Sequence, residues 1–167
     1  MPFYLKEVDV VPEIAKFQSA LIVICRFCPA ASMAMRNNQP YIELFRRFLR
    51  TESFEQHIED IRSRLEKEGV RTDLFQGNLL NFMTCMWTLR QQEKLSERAR
   101  EYDVAVVMGC ESAYENVCDK VKSTGCRVIQ GMESQGVFSA IPKFRLPFNI
   151  SLELLRVTQM VYQKKEG

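Results

Sequence analysis

Six cysteines are the residues of this chain best suited to chemistry, and three of them stand where apolar runs end. Ala20-Leu21-Ile22-Val23-Ile24 leads into Cys25-Arg26-Phe27-Cys28-Pro29, and Val104-Ala105-Val106-Val107-Met108 leads into Gly109-Cys110. Two thiols three positions apart can chelate one metal ion, hold cluster iron, or close into a strained, reducible disulfide. A cysteine is also often an inert buried apolar side chain, so plain packing stands beside each of these readings. Cys110 gains weight from its place after an apolar run. Cys85 is the thiol available to complete a four-cysteine metal set with Cys25, Cys28 and Cys110, while Glu111 or Glu133 could supply oxygen instead. Cys118 and Cys126 read as core packing.

Other constellations are thinner. Gly109-Cys110-Glu111-Ser112 reads as a strand-to-helix turn whose backbone N–H groups could hold an anion. Gly109, Glu111, Ser112 and Glu133 are therefore the candidate ligand-binding residues. No Gly-x-Gly-x-x-Gly follows a strand, so the dinucleotide fingerprint is absent. His57 is the single histidine and stands mid-helix among Glu55, Glu59 and Asp60, which reads as a solvated surface side chain. No catalytic residue is assigned. A thioredoxin-type reading of Cys25 to Pro29 needs a helix starting at the first cysteine and a later proline opposite the disulfide. Residues 60–100 contain no proline, which demotes that reading.

The elements that must position the thiols follow from pattern. Continuous apolar runs read as buried parallel strands, here 20–25, 70–75, 104–108 and 126–130, the second weakened by Arg71 and Asp73. Between them lie helical stretches. Residues 41–68 read as helical, with Tyr41, Leu44, Phe45, Phe48 and Leu49 marking one face. A capping-box pattern at Ser53-Phe54-Glu55-Gln56 opens a further helix through Ile58, Ile61 and Leu65, which Gly69 ends. Phe82, Met83, Met86, Leu89 and Leu95 predict a helix over 79–101, and Ser112 to Ser123 predicts another. The order β-α-β-α-β-α-β implies an α/β fold: a three-layer, Rossmann-like domain with a parallel sheet of about four strands. Right-handed crossovers give strand order 2-1-3-4, with Cys25, Cys28 and Cys110 at the same edge of the sheet. Residues 1–19 read as an N-terminal arm carrying a short edge strand or helical turn. Residues 131–149, with Gly136, Pro142 and Pro147, read as a long functional or interface loop whose apolar residues fold over the core or meet a partner. Residues 150–167 read as a C-terminal helix through Leu152, Leu155, Met160 and Val161, ending in a charged tail. All of this fits one domain over 1–167.

Composition narrows the function classes. Hydrophobic content is 46% and charged content 26%, and the formal net charge is +2, which points to no strong affinity for nucleic acid or an anionic membrane. No apolar stretch is long enough to span a bilayer, and the first residues carry no signal-peptide pattern, which favours the cytoplasm and reduced thiols.

The order of these motifs resembles the cysteine-rich domain in the small subunit of acetogen-type methylenetetrahydrofolate reductases. The resemblance spans about residues 20–137. It rests on Ile24-Cys25-Arg26-Phe27-Cys28, Glu68-Gly69-Val70 before the second strand, Asp103 before a strand ending in Met108-Gly109-Cys110, and Val128 to Gly136. It implies an iron–sulfur cluster on Cys25, Cys28 and Cys110, with Cys85 as substitute for a family cysteine that Gln76-Gly77-Asn78 replaces. Arg26 and Phe27 also depart from the small residues usual inside the family's Cys-x-x-Cys. The function implied is an accessory or electron-transfer module of anaerobic one-carbon metabolism with a protein partner or redox subunit, homo-oligomerisation being left open. Zinc is the alternative metal. A metal-free ligand-binding or thiol-redox domain, and a structural subunit with packed cysteines, are the competing classes.

Overall fold

The computed structural model describes residues 2–43, 51–77, 81–145 and 148–159. Its centre is a four-stranded parallel sheet of β2 (Ser19–Ile24), β4 (Arg71–Gln76), β5 (Val104–Met108) and β6 (Arg127–Gln130). The spatial order is β4-β2-β5-β6, the expected 2-1-3-4. Every residue of β2 and β5 is buried, which is why both read as unbroken apolar runs, while β4 at the edge keeps its polar residues partly exposed. The sheet is flanked by α2 (Cys28–Arg36) and α3 (Glu52–Lys67), which pack on each other, and by α4 (Leu89–Ala99) and α5 (Glu111–Val121), which do likewise. A reversal of strand order with right-handed crossovers puts these two pairs on opposite faces.

At the amino edge of the sheet, the Asp103 carboxylate accepts from the backbone N–H of Gln18 (3.1 Å) and Ser19 (2.9 Å) and from the Ser19 hydroxyl (2.9 Å). That clamp ties the start of β2 to the start of β5. Asp103→Ala leaves the buried Ser19 N–H without its acceptor, so unfolding in urea will show a loss of about 1–3 kcal/mol. An unchanged midpoint would show that water replaces the clamp at no cost.

A second, antiparallel sheet is the main departure from expectation. Its order is β1-β7-β8-β3, from β1 (Phe3–Glu7), β7 (Met132–Arg145), β8 (Asn149–Thr158) and β3 (Ile42–Glu43). The predicted arm over 1–19 thus supplies an edge strand and a short helix, α1 (Val11–Ile14). The predicted loop over 131–149 is instead mostly the strand β7, and the start of the predicted helix over 150–167 is β8, paired with β7 from Val137 against Thr158 to Arg145 against Asn149. Leu152 and Leu154 sit opposite Pro142 and Ala140, so the apolar residues follow a period of two. Beyond Phe138, whose N–H donates to the Pro2 carbonyl (3.1 Å), β7 has no described strand on its outer side, where Pro142 removes no ladder bond. Phe138 is buried, whereas Ile141, Phe144 and Phe148 are exposed. Leu146, Pro147, Met160, Val161 and the charged tail lie outside the described residues, as do Leu44, Phe45, Phe48 and Leu49.

Two helix expectations also change. In the described part of the stretch predicted as helix over 79–101, a 3₁₀ turn at Thr84–Met86 precedes α4, which starts only at Leu89. The N-cap position of α3 is Thr51 rather than Ser53, with no side-chain bond to the helix, and the described start of the stretch predicted helical over 41–68 is β3. The buried α3 stripe of Phe54, Ile58, Ile61 and Leu65 is the one the sequence marks.

The added sheet matters to the cysteines because it packs on α2 through β1 and β8. Eight of the nine α2 residues, Cys28 to Met35, are buried in consequence. Ser32 fastens the two together: its hydroxyl donates to the Cys28 carbonyl (2.8 Å) and accepts from Leu5 N–H (2.9 Å). Leu5, Met132 and Phe138 of the antiparallel sheet belong to the same buried core as the parallel strands. No helix among the described residues is long and apolar enough to cross a membrane.

Candidate functional site: four thiols at the carboxyl edge of the sheet

Ile24, Gln76 and Met108 are in register across the carboxyl edge of the parallel sheet, so the residues that follow them emerge side by side. Cys25 N–H donates to the Met108 carbonyl (3.0 Å), placing Cys25 next to Gly109. A Cβ on Gly109 would stand 3.3 Å from Cys25 Cβ and 2.7 Å from Ala113 Cβ. Glycine is needed here for the close approach of two backbones, not for an unusual dihedral. Three residues on, Cys28 opens α2 with Pro29 behind it in the first turn. Cys110 is the N-cap of α5 in extended conformation.

The fourth thiol arrives on the segment misread as helix. Residues 81–88 cross the sheet edge and are held there by several bonds. Arg26 N–H donates to the Phe82 carbonyl (2.9 Å), and the Thr84 hydroxyl donates to the Ile24 carbonyl (3.4 Å). The Asn116 amide donates to the Thr84 carbonyl (2.6 Å), and Trp87 Nε1–H closes the segment on the Asn81 carbonyl (2.6 Å). Cys85 therefore sits in the 3₁₀ turn over the strand ends. Its thiol feels the charges of Cys25 and Cys110.

The electrostatics are uneven. Cys28 donates its S–H to Cys110, which raises the Cys28 pKa, and burial adds to the rise. The same bond is the largest cause of the fall at Cys110, to about 6, helped by the N–H groups of Ala113 and Ser112 at the start of α5. Cys110 is thus the thiolate of the set at neutral pH. Burial pushes the Cys25 thiol up, against bonds from Phe27 and Thr84 N–H. Cys85 is exposed and also raised, chiefly by burial of part of its surroundings. Cys25, Cys28 and Cys110 are buried, at 1%, 7% and 2% exposure, so no bulky reagent reaches them in the folded protein.

The pair has a measurable pH signature. Folded Cys110 ionises near 6 and an ordinary thiol near 9.0. A depressed pKa adds stability as pH rises from about 6 to about 9, and that stability is lost as pH falls through about 6. The raised Cys28 thiol does the reverse, its contribution holding below about 9 and fading above. The expected result on metal-free, reduced protein is one thiolate absorbance step at 240 nm with a midpoint near 6. Cys110→Ser will abolish the step and Cys28→Ala will move it to higher pH. A first step above pH 8 would contradict the hydrogen-bonded pair.

The other expected site residues separate. Gly109, Glu111 and Ser112 form the turn into α5, and one Glu111 carboxylate oxygen (Oε2) is buried with no hydrogen-bond partner. Ser112 is exposed, its backbone N–H serving Cys110. Glu133 is an exposed β7 residue opposite Lys6, so its place is on the antiparallel sheet. Cys118 is half-buried on α5 and bonded with Tyr114, and Cys126 is buried ahead of β6, its thiol pushed up to about 11 by burial. His57 is not a freely solvated side chain: it is half-buried, its Nε2 has no partner, and burial lowers its pKa.

No protein-family model matches the chain, and neither a curated protein nor a solved structure matches it. Among the described residues, no three His, Cys, Asp or Glu side chains form a group able to grip one metal ion. Among the four thiols, Cys28 and Cys110 interact directly, and Cys25 and Cys85 stand within electrostatic reach of Cys110.

Proposed function

We propose that the chain is a cysteine-ligated iron–sulfur module that serves a partner protein in electron transfer. The observation that supports this reading is the meeting of four thiols from three separate segments at one sheet edge, three of them buried. Packing alone gives no reason for Cys85, an exposed residue, to be held over the other three. A centre bound there would supply one-electron transfer and no bond-making chemistry of its own.

The roles of the residues follow from their surroundings. Cys110 enters as a preformed thiolate, steadied by two backbone N–H groups, so the first ligand needs no base. Cys28 must give up a proton before it can bind, so occupancy favours higher pH. N–H groups of Phe27, Thr84, Ser112 and Ala113 lie near enough to favour the thiolate form of Cys25 and Cys110, and N–H bonds to a cluster's sulfurs would raise its potential. Cys85, exposed, is the ligand nearest a partner. On the resemblance to the reductase small subunit, the proposed setting is one-carbon metabolism, folate- or corrinoid-based, in the cytoplasm, with the substrate chemistry carried by the partner.

A second reading rests on the direct Cys28–Cys110 bond: a metal-free dithiol that cycles to a disulfide. Iron and acid-labile sulfide, measured on protein purified without oxygen, separate the two. Both present supports the module. Neither present, with a Cys28–Cys110 disulfide recovered after mild oxidation, supports the dithiol.

A further inference from the structure

The β7–β8 hairpin does more than cover α2. Between them lies a cavity of about 420 Å³, within the range of small-molecule sites. Phe27, Ala31, Tyr41, Phe138, Ala140 and Leu152 line it, with Pro2 at one side and the exposed Ser139 as a polar group. Phe27 and Tyr41 meet edge to face, their centroids 6.4 Å apart and their planes at 74°. Phe27 also meets Phe82 at 6.2 Å and 63°, and Phe138 is fixed edge to face by Tyr4 at 6.4 Å. These rings are therefore held by neighbours and do not collapse into the space. Two perpendicular ring walls let a planar guest stack on one ring and present its edge to the other, the two geometries aromatic pairs prefer. Among the described residues no charged side chain lines the cavity, so the guest these walls suit is uncharged.

We infer that this cavity binds a planar, uncharged aromatic or heteroaromatic ring, seated between α2 and the hairpin beside the thiol site. The cavity adjoins that site through Phe27, which lies between Cys25 and Cys28, and through Tyr41, whose hydroxyl feels both thiols. A bound ring would thus sit at the edge of the cysteine cluster. Its binding depends on the cavity walls and not on what the thiols hold.

The test uses indole as the probe and cyclohexanol as a non-planar control, by saturation-transfer NMR with titration on the full chain. Indole will bind, and about tenfold more tightly than cyclohexanol, the factor that one good ring pair contributes. Ala31→Leu fills the cavity from α2, and Ala140→Phe fills it from the hairpin should the first variant fold poorly. Either variant, with unchanged circular dichroism, will weaken indole by at least about tenfold. Equal affinity for the two probes, no indole binding, or indole binding untouched by a folded cavity-filling variant would each overturn the inference.

Discussion

Cys110→Ser protein, purified without oxygen, will carry no more than about a tenth of the iron and sulfide of the unchanged chain. The magnitude has a lower bound in general experience with metal sites. Changing a residue that merely supports a ligand already costs about 10–100-fold in affinity, and Cys110 is proposed as a ligand itself. It is also the one thiol of the four that is ionised at neutral pH. Serine keeps the size but not the low pKa, and it removes the acceptor for the Cys28 proton. Cys25→Ser and Cys28→Ser will follow the same course. Cys85→Ser will act more mildly, because Cys85 is exposed and water or an added thiol can take its place. Cys118→Ser and Cys126→Ser are the controls: Cys118 lies along α5 and Cys126 at the far end of β6, and both will retain full metal. Full retention in Cys110→Ser would remove Cys110 from the ligand set and, with it, the geometric basis of the site.

Gly109→Ala will be the most damaging single-methyl change near the thiols. The new Cβ would come within 2.7 Å of Ala113 Cβ, closer than real carbon contacts allow, and within 3.3 Å of Cys25 Cβ. Neither neighbour is the flexible end of a side chain. Ala113 is fixed in the first turn of α5, and Cys25 is bonded to Met108 across the sheet. Overpacking of this kind costs about 1–3 kcal/mol, or roughly 2–12 °C in Tm for a chain of this size. Relief requires α5 to move away from β2, which carries Cys110 away from Cys25 and Cys28. Metal content will therefore fall together with stability, and the 240 nm thiolate step will move up toward an ordinary thiol. Gly69→Ala, at a helix end with φ +81 and open space around it, separates these effects. It strains the backbone but lies far along the chain from the thiols, so it will lower Tm and leave the thiolate step in place. A Gly109→Ala protein as stable as its parent would mean that α5 is looser than its packing implies.

The parallel sheet was legible because its two central strands, β2 and β5, are buried on both faces, and burial leaves a continuous apolar run. Strand order followed from handedness once four runs and three helical stretches were counted. That is also why Cys25, Cys28 and Cys110 could be brought to one edge before any coordinates were known. Cys85 had no such signal. Its segment, Phe82 to Trp87, has apolar spacing that fits a helix, and what holds it in a 3₁₀ turn is a set of long-range bonds to Arg26, Ile24 and Asn116. Those partners are distant in sequence, and no local pattern announces them.

The antiparallel sheet was hidden for a different reason. Leu152 and Leu155 with Met160 and Val161 suggest a helical stripe, yet Ile150, Leu152 and Leu154 also alternate, and only pairing with β7 decides between the two periods. Gly136 and Pro142 suggest a loop, but Pro142 lies on a stretch of β7 with no described strand on its outer side. A local shift of register at Ser139 and Ala140 further blurs the alternation. The cost of that misreading falls on the site, because the same sheet encloses α2 and brings Phe3 N–H to the Cys28 sulfur. Glu133 was assigned to the thiol edge on the assumption of a loop there. As a β7 residue in register with Lys6 it belongs to the other sheet.

The measurement that bears most directly on the central claim is iron and acid-labile sulfide per chain, with an absorption spectrum before and after dithionite, on protein made and purified without oxygen. The account predicts stoichiometric iron and sulfide near one cluster per chain, visible absorption that bleaches on reduction, and loss of both in Cys110→Ser. Protein free of iron and sulfide that cannot be reconstituted with ferrous iron and sulfide, while its four edge thiols titrate as free groups, would contradict it.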